Sequence, residues 1–162
     1  MYRHILIPTD GSDLAEHGVA HGLALAKSLG AKVTVITVDE RLGAWLSFAE
    51  SGVTEAFAQY YAEQIKKHVA SVLDRVAKAA KQAAVPCDTI HVQDLQPYEA
   101  IIATATDQGC DLIVMASHGR SGLSAVVLGS VTNKVLTSSA LGAKSSPNGY
   151  RVRARSCRSK QK

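Results

Sequence analysis

The sequence predicts an α/β domain built on a doubly wound parallel sheet. Three observations predict it. Short apolar runs at Ile5-Leu-Ile7, Val33-Thr-Val-Ile-Thr-Val38 and Leu112-Ile-Val-Met115 have the length and composition of buried strands. Stretches with helical spacing separate these runs, so strands and helices alternate along the chain. Two strands also run straight into polar turns, Thr9-Asp10-Gly11 and Ser117-His118-Gly119. In open sheets of this class, ligands meet the carboxyl ends of the strands where strand order reverses.

The elements follow in order. Residues 3–8 form a first strand, and Thr9 to Ser12 a turn. Ser12 or Asp13 can cap the next helix, and Asp13 with Glu16 matches a capping box. Leu14, Val19, Leu23, Leu25 and Ala26 give that helix its apolar face, and Gly30 stops it. The β-branched run from Lys32 to Val38 is the second strand. Residues 39–53 are less regular and carry Trp45, Leu46 and Phe48, which suit packing over the sheet. A long helix follows from Thr54 to about Ala84. Its apolar face holds Phe57, Tyr61, Ile65, Val69, Val72, Val76 and Ala80, and Pro86 ends it. Cys87 to Val92 is a third strand. Pro97 occupies a first helical position, and Gly109 closes that helix. The fourth strand, Asp111 to Met115, leads through a glycine-containing loop to a last helix, Ser130 to Ser138.

A chain of 162 residues suffices for one domain with a full core. The net charge of +4 divides unevenly. Up to residue 140 there are eleven Lys and Arg against fourteen Asp and Glu, a balance of −3; beyond it there are seven Lys and Arg and no acid, +7. The basic character therefore belongs to the tail and argues against a nucleic-acid surface on the body. No apolar run is long enough to cross a bilayer, and the amino terminus reads as a strand rather than a signal peptide. Cys87, Cys110 and Cys157 are odd in number and widely spaced, which fits a reducing compartment; the expectation is a cytoplasmic protein. His17 and His21 lie four apart on the first helix but have no evident third ligand, so they predict no metal site.

The stretch Ala116 to Ser130 carries the chemistry. Gly119, Gly122 and Gly129 allow sharp turns or close backbone approach, and the helix that begins at Ser130 offers unpaired N–H groups and a positive dipole end. Such a loop suits the phosphates of a nucleotide. Neither a dinucleotide-type Gly-x-Gly-x-x-Gly nor a P-loop Gly-Lys-Ser/Thr is present. The bland alternative is a strand-to-helix connection whose glycines serve only the turns.

On two motifs the sequence resembles the universal stress protein family. Ile5-Leu-Ile-Pro-Thr-Asp-Gly-Ser12 is similar to the family's first strand and turn. Ala116, Gly119, Gly129 and Ser130 are similar to its nucleotide motif, with the spacing intact and alanine at the first position in place of glycine. The resemblance covers residues 2–138. It implies a Rossmann-like sheet in the order 3-2-1-4-5, a homodimer, and binding of ATP with a divalent cation, magnesium or manganese. By the same resemblance Pro8, Thr9 and Asp10 line the site, and Asp10 faces the ribose or, through water, the metal. Val38 meets adenine through its backbone and Met115 flanks base or sugar, with Ala116 and Ser117 among the site residues. His118, Gly119, Arg120 and Gly122 belong to the loop, with Gly119 approaching the triphosphate. Gly129, Ser130 and Val131 give N–H groups to the phosphates, Ser130 its hydroxyl too, and Thr132 is a further site residue.

The carboxyl terminus departs from that pattern. No fifth apolar strand follows residue 138, so the expected order is 3-2-1-4 with the last strand missing or altered. Residues 1–140 form the nucleotide-binding domain, and 141–162 a basic, irregular tail in which Arg151 to Arg155 permits a weak edge strand. This also weakens the expected homodimer. The function implied is that of an ATP-binding stress-response regulator acting by nucleotide-dependent conformation or partner binding, without a nucleic-acid or membrane partner. The alternatives are a slow ATPase or nucleotide hydrolase, for which no general base is evident, and a nucleotide-free interaction module.

Overall fold

The computed structural model describes residues 2–39, 55–94, 96–116, 129–138, 142–145 and 150–154. Its elements are β1 (His4–Pro8), α1 (Asp13–Leu29), β2 (Lys32–Asp39), α2 (Glu55–Ala83), β3 (Cys87–Gln93), α3 (Pro97–Asp107), β4 (Leu112–Ala116), α4 (Ser130–Ser138), β5 (Gly142–Ser145) and β6 (Tyr150–Ala154). Trp45, Leu46, Phe48, Cys157 and the loop residues Ser117, His118, Gly119, Arg120 and Gly122 lie outside the described residues.

Four strands pair in parallel in the order β3-β2-β1-β4, as the alternation and the family resemblance predict. Side-chain alternation divides the core between the two faces. Ile5, Ile7, Val33, Val35, Leu112 and Val114 pack with Val19, Leu23 and Ala26 of α1 and with Val76 and Ala80 of α2. Leu6, Ile36, Ile113 and Met115 pack on the other face with Ile101 and Ala105 of α3 and Val135 of α4. The sheet is thus doubly wound.

The helices seat as their patterns require, with two differences. On α1 the buried set is Ala15, Gly18, Val19, Gly22, Leu23 and Ala26, so Leu14 falls one residue off the buried stripe and is 39% exposed. At Gly22 helix and strand pack so closely that an added Cβ would stand 2.4 Å from Ile7 Cδ1. Among the described side chains of α2, those buried are Val69, Val72, Val76 and Ala80, while Phe57 near its start is exposed. The last turns of that helix press on the sheet, and its first turns overhang the carboxyl edge.

The turns at the amino edge of the sheet are short. Gly30, with φ of 63°, closes α1, and Ala31 N donates to Ala26 O at 2.9 Å. Ala84 closes α2 in the same left-handed conformation, with φ of 55°. The Asp111 carboxylate accepts from the amides of Arg3 (2.9 Å) and His4 (3.0 Å), which fastens the start of β1 to the start of β4.

Two strands fall within the stretch that the sequence assigns to an irregular tail. β6 pairs antiparallel with β4, Val114 opposite Val152, and β5 pairs antiparallel with β6. The strand at 150–154 therefore lies between two others, not at the edge as the alternation of arginines suggests. The position beside β4 is filled, but by a strand of reversed direction, so the last strand of the expected order is altered. The single period-2 stretch in the tail is the part that can supply such a ladder.

Candidate functional site

A cavity of about 430 Å³ opens at the carboxyl ends of β1, β2 and β4. β1 stops at Pro8, whose partner on β2 is Ile36, and Thr9 N donates to Ile36 O at 2.9 Å. β2 runs on through Thr37, Val38 and Asp39, paired only with His91, Val92 and Gln93 of β3. The extra length makes a ledge whose β1 side faces the cavity without a ladder partner. Here β1 is flanked by strands that lead in opposite directions through the sheet, the crevice where open α/β sheets hold ligands.

Each wall of the cavity has a local cause. The turn after β1 is built by its own side chains: Asp10 Oδ1 accepts from Ser12 N (3.1 Å) and from the Ser12 hydroxyl (2.7 Å), and Ser12 Oγ caps α1 by accepting from Ala15 N (3.2 Å). Gly11 holds φ of 73°, and a Cβ on it would come within 2.5 Å of Val72 Cγ2 on α2. The turn and the long helix are thereby in close contact. On the far side, α4 starts beside the end of β4 because the Thr132 hydroxyl donates to Ala116 O at 3.0 Å. The ammonium of Lys134 lies 5.0 Å from the ring centre of Tyr98, tying α4 to α3.

Ten residues expected at the site from sequence gather around this cavity: Pro8, Thr9, Asp10, Val38, Met115, Ala116, Gly129, Ser130, Val131 and Thr132. Ser117, His118, Gly119, Arg120 and Gly122 are outside the described residues. The side chain of Thr132 is engaged by the Ala116 carbonyl, so its hydroxyl positions the helix and only its backbone N–H is offered to a ligand. Ala116, which replaces the motif's first glycine, is accommodated from below. Gly18 of α1 lies against it, and a Cβ on Gly18 would stand 3.2 Å from the Ala116 amide nitrogen and 3.6 Å from its Cβ.

Sequence reasoning missed Thr37 and Asp39 on the ledge, and Tyr61, Gln64 and His68 on α2, all of which line the cavity. Thr37 is one of two hydroxyls in a buried run, with Thr34, and the sequence does not tell the one that meets the cavity from the one that does not. For the α2 residues no local signal separates a helix face that meets a cavity from one that meets the sheet.

The polar lining combines carboxylates and hydroxyls with the amide of Gln64 and the imidazole of His68. Thr9, Thr37 and Asp39 are buried, and Asp10 stands at the mouth; no Lys or Arg lines the cavity among the described residues. The first three N–H groups of α4 precede its first helical hydrogen bond, from Asn133 N to Gly129 O at 2.9 Å, and supply the positive end of a dipole. Among the described residues no group of three or more His, Cys, Asp or Glu could hold a metal. No helix among them is long and apolar enough to cross a membrane.

Comparison with known proteins agrees with this architecture. The model of the universal stress protein family matches residues 1–141. Universal stress protein MJ0531 of Methanocaldococcus jannaschii is 32% identical over 138 residues, 84% of this chain and 76% of that protein. Universal stress protein YxiE of Bacillus subtilis is 29% identical over 137 residues, 83% of this chain and 92% of its own length. The solved structure of MJ0577 from Methanocaldococcus jannaschii superposes with a TM-score of 0.74 at 28% identity, covering 86% of this chain and 92% of that one. A universal stress protein solved in complex with cAMP shares the fold, with a TM-score of 0.58 at 22% identity over 83% of this chain and 87% of its own. From the order of its strands, from its two motifs and from these matches, the chain belongs to the universal stress protein family.

Proposed function

We propose that this protein binds ATP together with a divalent cation, magnesium or manganese, and acts as a stress-response regulator through nucleotide-dependent conformation or partner binding. The observation that carries this is the cavity at the carboxyl ends of β1, β2 and β4, bordered by the start of α4 and the Asp10 turn. Its size is that of a small-molecule site. Support also comes from the fold-mate solved in complex with cAMP, an adenine nucleotide.

In this reading the amides of Ser130, Val131 and Thr132 hold phosphate oxygens, with Ser130 adding its hydroxyl. No Lys or Arg lines the cavity among the described residues, and in this reading a metal ion supplies the neutralising charge. Asp10 spends Oδ1 on its own turn, which fits contact with the ion's water shell better than direct coordination. By the family resemblance, the loop residues Ser117, His118, Gly119, Arg120 and Gly122 add further contacts to the nucleotide. Residues 1–140 act as the nucleotide-binding unit of a cytoplasmic protein, and the homodimer expected of the family is weakened by the reversed strand beside β4.

Calorimetry with magnesium-ATP, on the full chain and on Gly129→Val, tests this. The expected result is micromolar binding that the variant loses, because a branched side chain at the helix start blocks the approach of phosphate. Absence of binding by the unaltered chain would overturn the proposal.

A further inference from the structure

β2 buries two threonine hydroxyls, and they differ in one respect. Thr34, fully buried, has its Oγ1 2.8 Å from Nε2 of His4. Thr37, three residues on and 5% exposed, has no hydrogen-bond partner for its Oγ1 among the described residues. Thr37 lines the cavity. A buried hydroxyl without a partner destabilises a fold, and valine has the same shape without that cost. Among the described residues, then, stability does not account for a hydroxyl at this position.

The ledge supplies its setting. Thr37 sits one residue past the last pairing of β2 with β1, on the face of Val33 and Val35, and Asp39 follows on that face, 7% exposed. The start of α4 is anchored over β4, two strands away. Two strand spacings are about 10 Å. A nucleotide whose phosphates rest on α4 therefore reaches Thr37 with its nucleoside end, not with its phosphates.

We propose that Thr37 is a specificity-determining residue whose hydroxyl completes its hydrogen bonding on a polar atom of the bound nucleoside. The inference rests on the nucleotide site proposed above. A hydroxyl both donates and accepts, so it suits a base edge on which a ring nitrogen and an amine lie side by side. Binding and stability should then pull in opposite directions at this one side chain, which a purely structural threonine would not do.

The test uses the full chain, its Thr37→Val and Thr37→Ser variants, thermal unfolding without ligand, and calorimetry with magnesium-ATP. Thr37→Val is expected to raise the ligand-free Tm by about 2–4 °C. It is expected to weaken ATP about fivefold, the loss of one neutral hydrogen bond. Thr37→Ser keeps the hydroxyl and should stay within about twofold of the unaltered chain. A lower ligand-free Tm for Thr37→Val would show that the hydroxyl has a partner within the fold and would overturn the inference. Unchanged ATP affinity in that variant would overturn the inference while leaving the proposed function standing. Failure of the unaltered chain to bind ATP would overturn both.

Discussion

The two edges of the sheet are made from the same strands and finished in opposite ways. At the amino edge the described polar groups find partners inside the protein: Asp111 holds the amides of Arg3 and His4, and His4 holds Thr34. The connections there are tight, closed by Gly30, Ala84 and Gly109 in left-handed conformations. At the carboxyl edge β2 outruns β1, a cavity opens, and Thr37 keeps a buried hydroxyl unspent among the described residues. One edge is satisfied by the fold itself. At the other, the described residues leave that hydroxyl without a partner.

That contrast can be broken most severely at Asp111. Asp111→Ala removes two charge-assisted hydrogen bonds to backbone amides and is expected to lower stability by about 3 kcal/mol in urea unfolding, with the slope unchanged. Thr34→Val should cost about 2 kcal/mol, because it strands a buried ring nitrogen of His4. Set beside the gain expected for the same change at Thr37, it makes a matched pair of opposite sign, and equal signs would erase the distinction between the edges. Ala84→Gly should raise stability by about 0.5–1 kcal/mol, since glycine adopts the left-handed conformation without strain. A drop in unfolding midpoint would show that the Ala84 methyl makes a compensating contact.

The pH dependence of stability sharpens the same point. Burial, aided by the charge of Lys32, holds the His4 imidazole below its ordinary value of 6.5, against the opposing pull of the Gln108 carbonyl and Asp111. The unfolded chain therefore takes up the proton first. Stability from this group is present above pH 6.5 and falls as the pH drops through 6.5 towards the lowered native value. Urea midpoints measured from pH 7.5 to pH 5 should show this decline, and His4→Leu should remove it. The smallest effect is chemical: burial pushes the Cys110 thiol up to about 11. Alkylation at pH 8 followed by peptide mass mapping should leave Cys110 unmodified in the native protein and modify it in urea.

Much of this architecture is legible in the amino-acid sequence. β1 and β4 are short apolar runs between turn formers, and the Asp10-Gly11 turn, the Gly30 stop and Pro97 at a helix start each carry a local physical signature. The phosphate end of the candidate site is legible for the same reason, since a helix start and its glycines are adjacent in sequence. The ledge is not. β2 is apolar on both faces, as a central strand must be, so its pattern has no alternation to show that Thr37 and Asp39 share one face and Val38 takes the other. Tyr61, Gln64 and His68 come from a helix whose hydrophobic period marks an inward face without saying whether sheet or cavity lies beneath it. The antiparallel β6 is hidden for a different reason: its arginines read as solvated, and its place between β4 and β5 is set by long-range pairing alone.

The overhang of β2 also imposes a rule of parity. Neighbouring residues on a strand face opposite ways, so the gain or loss of one residue between Pro8's partner Ile36 and the end of the strand would exchange the two faces beyond that point. After a single insertion following Ile36, the hydroxyl of Thr37 would turn from the α1–α2 side of the sheet to the α3 side, and the inserted residue would take its place. Changes of length in this segment can preserve its handedness only in steps of two. The identity of the side chain offered to the cavity is thus fixed by counting from Pro8, through the last rung that β1 and β2 share.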